Sequence, residues 1–264
     1  MGSGERTSPP DDRLRWPRSR CRLNNALADP LGTNRRDRYV SEPISRPTTS
    51  RRPKRGGGHR TFTRLDPGSA QAYRAAVDHL EPAILGAIGD GSIAERRTWG
   101  QQRIIRTLAI RKHELSPAAS APVGVTDVAG FFSEVTPALA EHSAAKAGAP
   151  RAERHRLRAI LERFQEAGVV GLPIGPAPSA LVAEAVLAPI DQLLDRARVP
   201  YIRWVDDIAV GGSDPGAALR IIAESLSSLG LHHHPAKTRI MTTREFHETW
   251  VRGLSYHRPD ANAL

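Results

Sequence analysis

Tyr201–Gly212 reads YIRWVDDIAVGG. Two short runs of strand-forming residues, Tyr201–Val205 and Ile208–Val210, flank the adjacent carboxylates Asp206 and Asp207. The stretch therefore predicts a β-hairpin with both acids at its tip. Arg203 is the one cation in the stretch that could neutralise them. Two anions held side by side repel, a bound divalent cation relieves that repulsion, and carboxylate oxygens suit Mg²⁺. Asp-Asp is equally an ordinary solvated turn, so the rest of the chain has to decide between the two readings.

At 264 residues the chain suits one large domain or two small ones, with enough length to bury a core. A single cysteine, Cys21, excludes an internal disulfide framework and fits a reducing, cytoplasmic compartment. No run approaches about 18 consecutive apolar residues, so no membrane-spanning helix is expected. The N-terminus lacks the apolar core of a secretory signal. The net charge of +10 is unevenly spread: residues 1–60 carry 15 Lys and Arg against 6 Asp and Glu, leaving the remainder nearly neutral. Up to about Arg46 the chain is rich in Pro, Ser, Asn and Arg without apolar periodicity. It reads as a mostly disordered basic leader, either a solvated tail or an aid in holding nucleic-acid phosphates.

From Arg51 the texture changes. RRPKRGGGHRTF sets Lys54 and Arg60 on either side of three glycines, a loop able to hold phosphates through backbone amides and flanking cations, or a flexible basic linker. Leu65–Gly68 predicts a turn with Ser69 capping the helix that follows. Tyr73, Val77, Leu80, Ile84 and Ile88 recur at helical spacing, with a kink or break at Pro82. A further helix is expected over Gln101–Leu115. Val123–Val128 predicts a strand with Asp127 near its end, just before Phe131 and Phe132; Asp127 reads either as a turn residue or as a metal ligand. Pro137–Lys146, Arg151–Ala167 and Ser179–Leu194 predict helices, the last entered through the rigid bend GLPIGP. Asp214 and Pro215 open another helix, which Gly230 ends. His232–His234 lack the spaced ligands of a zinc site, and Lys237–Thr242 predicts a strand.

The order is basic glycine loop, acid with aromatics, Gly-Pro bend and helix, Asp-Asp hairpin, then Gly-Leu and lysine. That series resembles the fingers and palm of reverse transcriptases over roughly residues 51–254. PKRGGGHRTF resembles the fingers loop, VTDVAGFFSEV the first metal-acid motif, and GLPIGPAPSALVAEAVLAPID the substrate-binding helix. YIRWVDDIAV resembles the Arg-aromatic-x-Asp-Asp hairpin, and LGLHHHPAKTRI the lysine motif. Five motifs in the right order are far more specific than any one. The wording of the Gly-Pro-x-x-Ser and Val-Asp-Asp segments is most similar to bacterial reverse transcriptases associated with phage defence and abortive infection.

The resemblance implies an α+β fold, a polymerase palm of antiparallel sheet backed by helices. It divides the chain into a basic leader (1–50), a small fingers-like part (51–116) and a palm (117–264). The implied activity is RNA-templated DNA synthesis by two-metal nucleotidyl transfer, with Mg²⁺ as cofactor. Asp127 and Asp206 would hold the ions with Asp207 in support. Lys54 and Arg60 would grip the incoming deoxynucleoside triphosphate, with Gly175 also at the nucleotide. Lys237 would stand near the leaving phosphates, and Phe132 would exclude a ribose 2′-hydroxyl. The implied partners are an RNA template and a DNA or protein primer, and no membrane. Ile174 stands where the family often has Gln, and Trp204 where it has Tyr or Phe. Only 27 residues follow Lys237, too few for the helical thumb, so either the chain is truncated or a partner protein supplies a thumb. The rival expectation is a degenerate palm that binds nucleic acid without catalysis.

Overall fold

The computed structural model describes residues 46–53, 58–92 and 122–250. Lys54, the leader up to residue 45 and the helix expected over Gln101–Leu115 lie outside the described residues. The fold is mixed α+β with two antiparallel sheets. Strands β1 (Thr48–Pro53) and β2 (His59–Arg64) form an exposed hairpin with Arg52 directly opposite Arg60. Thr63 of β2 donates its amide to the Ile174 carbonyl at 2.7 Å, tying the hairpin to the GLPIGP bend.

Helix α1 (Pro67–Asp78) is capped by Asp66 rather than by Ser69. Pro67 occupies the first helical position, where its fixed φ and missing N–H suit it, so the cap falls at Asp66, three residues before Ser69. The Asp66 carboxylate accepts the Ser69 amide at 3.1 Å and also the Ser69 hydroxyl. Pro82 lies in the first turn of α2 (Glu81–Ala87), and the break precedes it at His79–Leu80. Tyr73, Val77, Leu80 and Ile84 are all buried, as their spacing requires.

Strand β3 (Val123–Asp127) leads through the short turn of helix α3 (Phe131–Glu134) into α4 (Pro137–Lys146) and α5 (Arg151–Glu166). Helix α6 (Ala177–Arg196) follows, then β4 (Tyr201–Trp204), β5 (Asp207–Val210) and α7 (Pro215–Ser228). Asp214 caps α7, accepting the Ala217 amide at 2.8 Å. The strand expected over Lys237–Thr242 is shorter, β6 (Arg239–Met241), because Pro235–Lys237 forms a 3₁₀ turn. Helix α8 (Thr243–Trp250) follows it.

The second sheet runs β4-β5-β3-β6, every neighbouring pair antiparallel. Side chains alternate between its faces. Tyr201, Ile208 and Val210 point into the main core with α6 and α7, and Gly124 is small because Leu219 of α7 lies over it. Val123, Val125, Ile202, Ala209 and Met241 point the other way and gather with Phe246 of α8. By length and composition α6 alone among the described helices could cross a membrane. Its Val182, Ala183, Val186, Leu187, Ile190 and Leu194 are instead buried in the main core, each large aliphatic among them contributing about 1.5–3 kcal/mol on burial.

Candidate active site

The alternation that sends Val123 and Val125 to one face of the sheet sends Asp127 there too. Asp127 is the direct cross-strand partner of Asp207 in the β3–β5 register. On the other side of β5, Asp207 is paired with Trp204, and Val205–Asp206 form the two-residue connection. Val205 has φ +54°, a left-handed conformation that a β-branched side chain adopts at a cost of about 1–3 kcal/mol. Strain of that kind persists only where the surroundings over-determine the backbone.

Three carboxylates thus share one end of the sheet. Like charges directly across strands destabilise a sheet, and the effect shows at half-buried Asp206. Burial, then the charges of Asp207 and Asp127, push its carboxyl up to about 7, with Arg60 opposing. Asp127 has a counter-charge: the Lys237 ammonium donates to its Oδ2 at 2.8 Å.

Lys237 is delivered by a loop sewn along the end of β3. Ala129 donates to the His232 carbonyl at 2.8 Å, His233 bridges Val128, and His234 donates to the Asp127 carbonyl at 2.7 Å. Lys237 then donates its amide to the His234 carbonyl, and the Thr126 and Thr238 hydroxyls meet at 2.7 Å. The histidine run therefore serves through its backbone, fixing the lysine beside the acid.

The exposed Arg60 of β2 lies close enough for its charge to be felt at Asp206. Opposite it, the Arg52 guanidinium stacks 5.1 Å above the Phe62 ring. Gly175, at φ +123°, turns the bend so that β2 can lie against it; an added Cβ would come 3.2 Å from the Thr63 carbonyl oxygen. Ser179 closes the same bend, donating to the Pro173 carbonyl at 2.6 Å and meeting the Tyr73 hydroxyl at 3.1 Å. Phe131 is a core residue and Phe132 is half-buried against the core, their rings edge to face at 5.6 Å. These two residues open a helical turn and not an extended segment, so adjacent rings diverge by about 100° rather than pointing to opposite sides.

Arg203 does not neutralise the hairpin acids. Its side chain is fully buried on the helix-backed face, where Nε and Nη2 grip Asp191 of α6 at 2.7 and 2.6 Å and Nη2 also meets Glu184 at 2.9 Å. Burial opposes its charge, but Asp191 and Glu184 outweigh burial and hold the guanidinium above its ordinary range. The signal was present in the sequence: Glu184 and Asp191 are the only acids in Ala177–Leu194 and stand seven residues apart, on one helix face. A buried arginine on the adjoining strand is the partner such acids require.

Hard carboxylate oxygens are what Mg²⁺ takes, and a cation would relieve the repulsion that Asp207 and Asp127 add to the burial of Asp206. Asp127, Asp206 and Asp207 therefore fit that ion in kind, although among the described residues no three His, Cys, Asp or Glu are gathered as a ready-made cage. Chemically, the site offers neighbouring carboxylates within electrostatic reach of Arg60, with one lysine held against an acid. No protein-family model matches the chain, and no curated protein matches its sequence.

Proposed function

We propose that the chain is an RNA-directed DNA polymerase. The four-stranded sheet would be its palm and the β1–β2 hairpin part of its fingers, with a role in phage defence suggested by the motif wording. One observation carries the reading: Asp127 lies directly opposite Asp207, beside the turn that holds Asp206, although 79 positions separate Asp127 from Asp206. Acids clustered against their own repulsion suit a polyphosphate reaction and serve no purpose in a surface that merely attracts nucleic acid.

Asp127 and Asp206 would hold Mg²⁺, with Asp207 in support. When bound, the metal supplies charge stabilisation at the phosphoryl oxygens and favours the ionised primer hydroxyl. The reaction joins the primer 3′ oxygen to the α-phosphorus of a deoxynucleoside triphosphate and breaks the α–β phosphoanhydride bond, releasing pyrophosphate. Arg60, with Lys54, neutralises the triphosphate; the guanidinium fork suits two phosphate oxygens at once. Lys237 supplies a proton to the departing pyrophosphate. Phe132 closes the floor of the sugar site.

The test is primer extension on an RNA template with the purified full chain and Mg²⁺. Incorporation of deoxynucleotides by the wild type, abolished in Asp127→Asn and Asp206→Asn with folding intact, is the expected result. Undiminished synthesis by either variant would remove that acid from the mechanism. Tight template binding without incorporation by the wild type would instead make the chain a nucleic-acid-binding palm.

A further inference from the structure

Arg203 makes one contact that its two acids do not explain. While Nε and Nη2 are held by Asp191 and Glu184, Nη1 donates to the Val205 carbonyl at 3.1 Å. That carbonyl belongs to the Val205–Asp206 peptide, the strained link on which Asp206 is mounted. The guanidinium is itself fixed from several sides. The Arg203 backbone amide donates to the Gly91 carbonyl at 2.9 Å, the Gly89 amide reaches Asp191 at 3.2 Å, and the Ser92 hydroxyl reaches Glu184 at 2.8 Å. Gly89 and Gly91 allow this approach, since a Cβ at either would collide with the Tyr201 ring or hydroxyl.

A rigid planar fork buried between a core helix and a strained turn does two things at once. It satisfies the buried acids, and it dictates which way the Val205 carbonyl faces. A carbonyl turned the other way would rotate the whole peptide plane and carry Asp206 off the line of Asp127 and Asp207. We infer that Arg203 is a positioning residue: through the Val205 carbonyl it fixes Asp206 relative to Asp127 and Asp207, coupling the acid turn to α6 and to the Gly89–Ser92 segment. This deepens the nucleotidyl-transfer reading and rests on it for the purpose that Asp206 serves, but not for the geometry.

Lysine in place of arginine keeps the charge and loses the fork, so it can meet Asp191 or Val205 but not both. Because two buried acids around one ammonium invite misfolding, the decisive variant is the balanced pair Arg203→Lys with Glu184→Gln. Glutamine keeps the shape of Glu184 and removes its charge, so the pair leaves one ammonium facing one carboxylate, Asp191. Glu184→Gln alone is the control that keeps the Val205 contact.

Two readouts apply: Mg²⁺ affinity by calorimetry with the metal alone, and amide hydrogen exchange of Val205–Asp207 against that of the α6 interior. The balanced pair is expected to lose about tenfold or more in Mg²⁺ affinity and to exchange faster at the turn while α6 stays protected. The control is expected to match the wild type in both. A balanced pair indistinguishable from the control, exchange raised equally in turn and helix, or failure of the pair to fold would each overturn the positioning role. Wild-type protein that shows the turn-specific pattern but no primer extension would end the polymerase reading and leave the positioning role standing.

Discussion

The Lys237 ammonium lies 2.8 Å from Oδ2 of Asp127, with the lysine side chain 56% exposed and the carboxylate nearly enclosed. An ion pair open to water on one side contributes little to stability, about 1 kcal/mol or less. Its consequence lies in competition, because a cation approaching Asp127 must displace or share that oxygen. Lys237→Met should therefore leave thermal stability within about 1 kcal/mol and strengthen Mg²⁺ binding in the absence of nucleotide. If Lys237 protonates the departing pyrophosphate, the same variant should also lower kcat in primer extension. Calorimetric Mg²⁺ titration that finds weaker binding in Lys237→Met would mean that the lysine organises Asp127 rather than competing for it.

Asp206 gives the pH dependence. Its carboxyl titrates near 3.8 when unfolded and near 7 when folded, so between those values the folded state holds the extra proton. Stability then falls as pH rises from about 4 to 7, the loss being complete above the folded value. Asp206→Asn should flatten that decline, measured as thermal midpoints at pH 5 and pH 8 without metal. Mg²⁺ binding at pH 6 should release a proton, detectable as a calorimetric heat that varies with buffer ionisation enthalpy. Midpoints that decline equally in the wild type and Asp206→Asn would place the charge strain elsewhere.

Most of this arrangement was legible because it depends on local chemistry. Strand propensity on both sides of Asp206–Asp207 gave the hairpin, although its connection is Val205–Asp206 and Asp207 already opens β5; apolar spacing gave α1 and α5. Pro215 after Asp214 gave the start of α7. What was not legible depends on tertiary partners. Arg203 sits three residues before Asp206 and reads as its counter-ion, yet strand alternation turns it to the opposite face, where Glu184 and Asp191 claim it. Ser69 reads as a cap until Pro67 is given the first helical position. The helical turn at Phe131–Glu134 is too short to show a period, and Gly130 at φ +57° sets it.

Two glycines separate conformational freedom from close approach. Gly168 adopts φ +93° with open space around it, whereas Gly171, at φ +65°, would place a Cβ 2.1 Å from the Phe132 carbonyl oxygen. Gly168→Ala should cost about 1 kcal/mol, from backbone conformation alone. Gly171→Ala should cost at least about 2 kcal/mol, because strain and a backbone collision add. Under the polymerase reading it should also impair primer extension by shifting Phe132, whose carbonyl accepts the Leu172 amide at 2.7 Å. Chemical denaturation compares the two, and equal losses would show that the bend yields without disturbing Phe132.

Arg60 tests the proposed anion grip. Its charge reaches Asp206 from an exposed strand, so removing it should weaken what enters between the hairpin and the acids. Arg60→Ala should raise the KM for nucleotide more than it weakens template binding, with stability unchanged within about 0.5 kcal/mol. Reduced template affinity with nucleotide KM untouched would assign the hairpin to the template.

The proposed sugar choice would rest on Phe132. Phe131 is 2% exposed and fills the core, while Phe132 packs only partly against it. Phe132, five residues past Asp127, leaves part of its ring outside the core, and its backbone carbonyl is held by the Leu172 amide. If that ring floors the sugar site, its edge collides with a 2′-hydroxyl. Phe132→Ala should then admit ribonucleotides, lowering discrimination against them by at least about tenfold. The stability loss should fall below the 3–5 kcal/mol typical of a fully buried phenylalanine, at about 1–2 kcal/mol. Competition between ribo- and deoxynucleotides in single-nucleotide extension measures the ratio. A full core-sized loss of stability with the ratio unchanged would make Phe132 a packing residue, and sugar selection would have to come from another side chain.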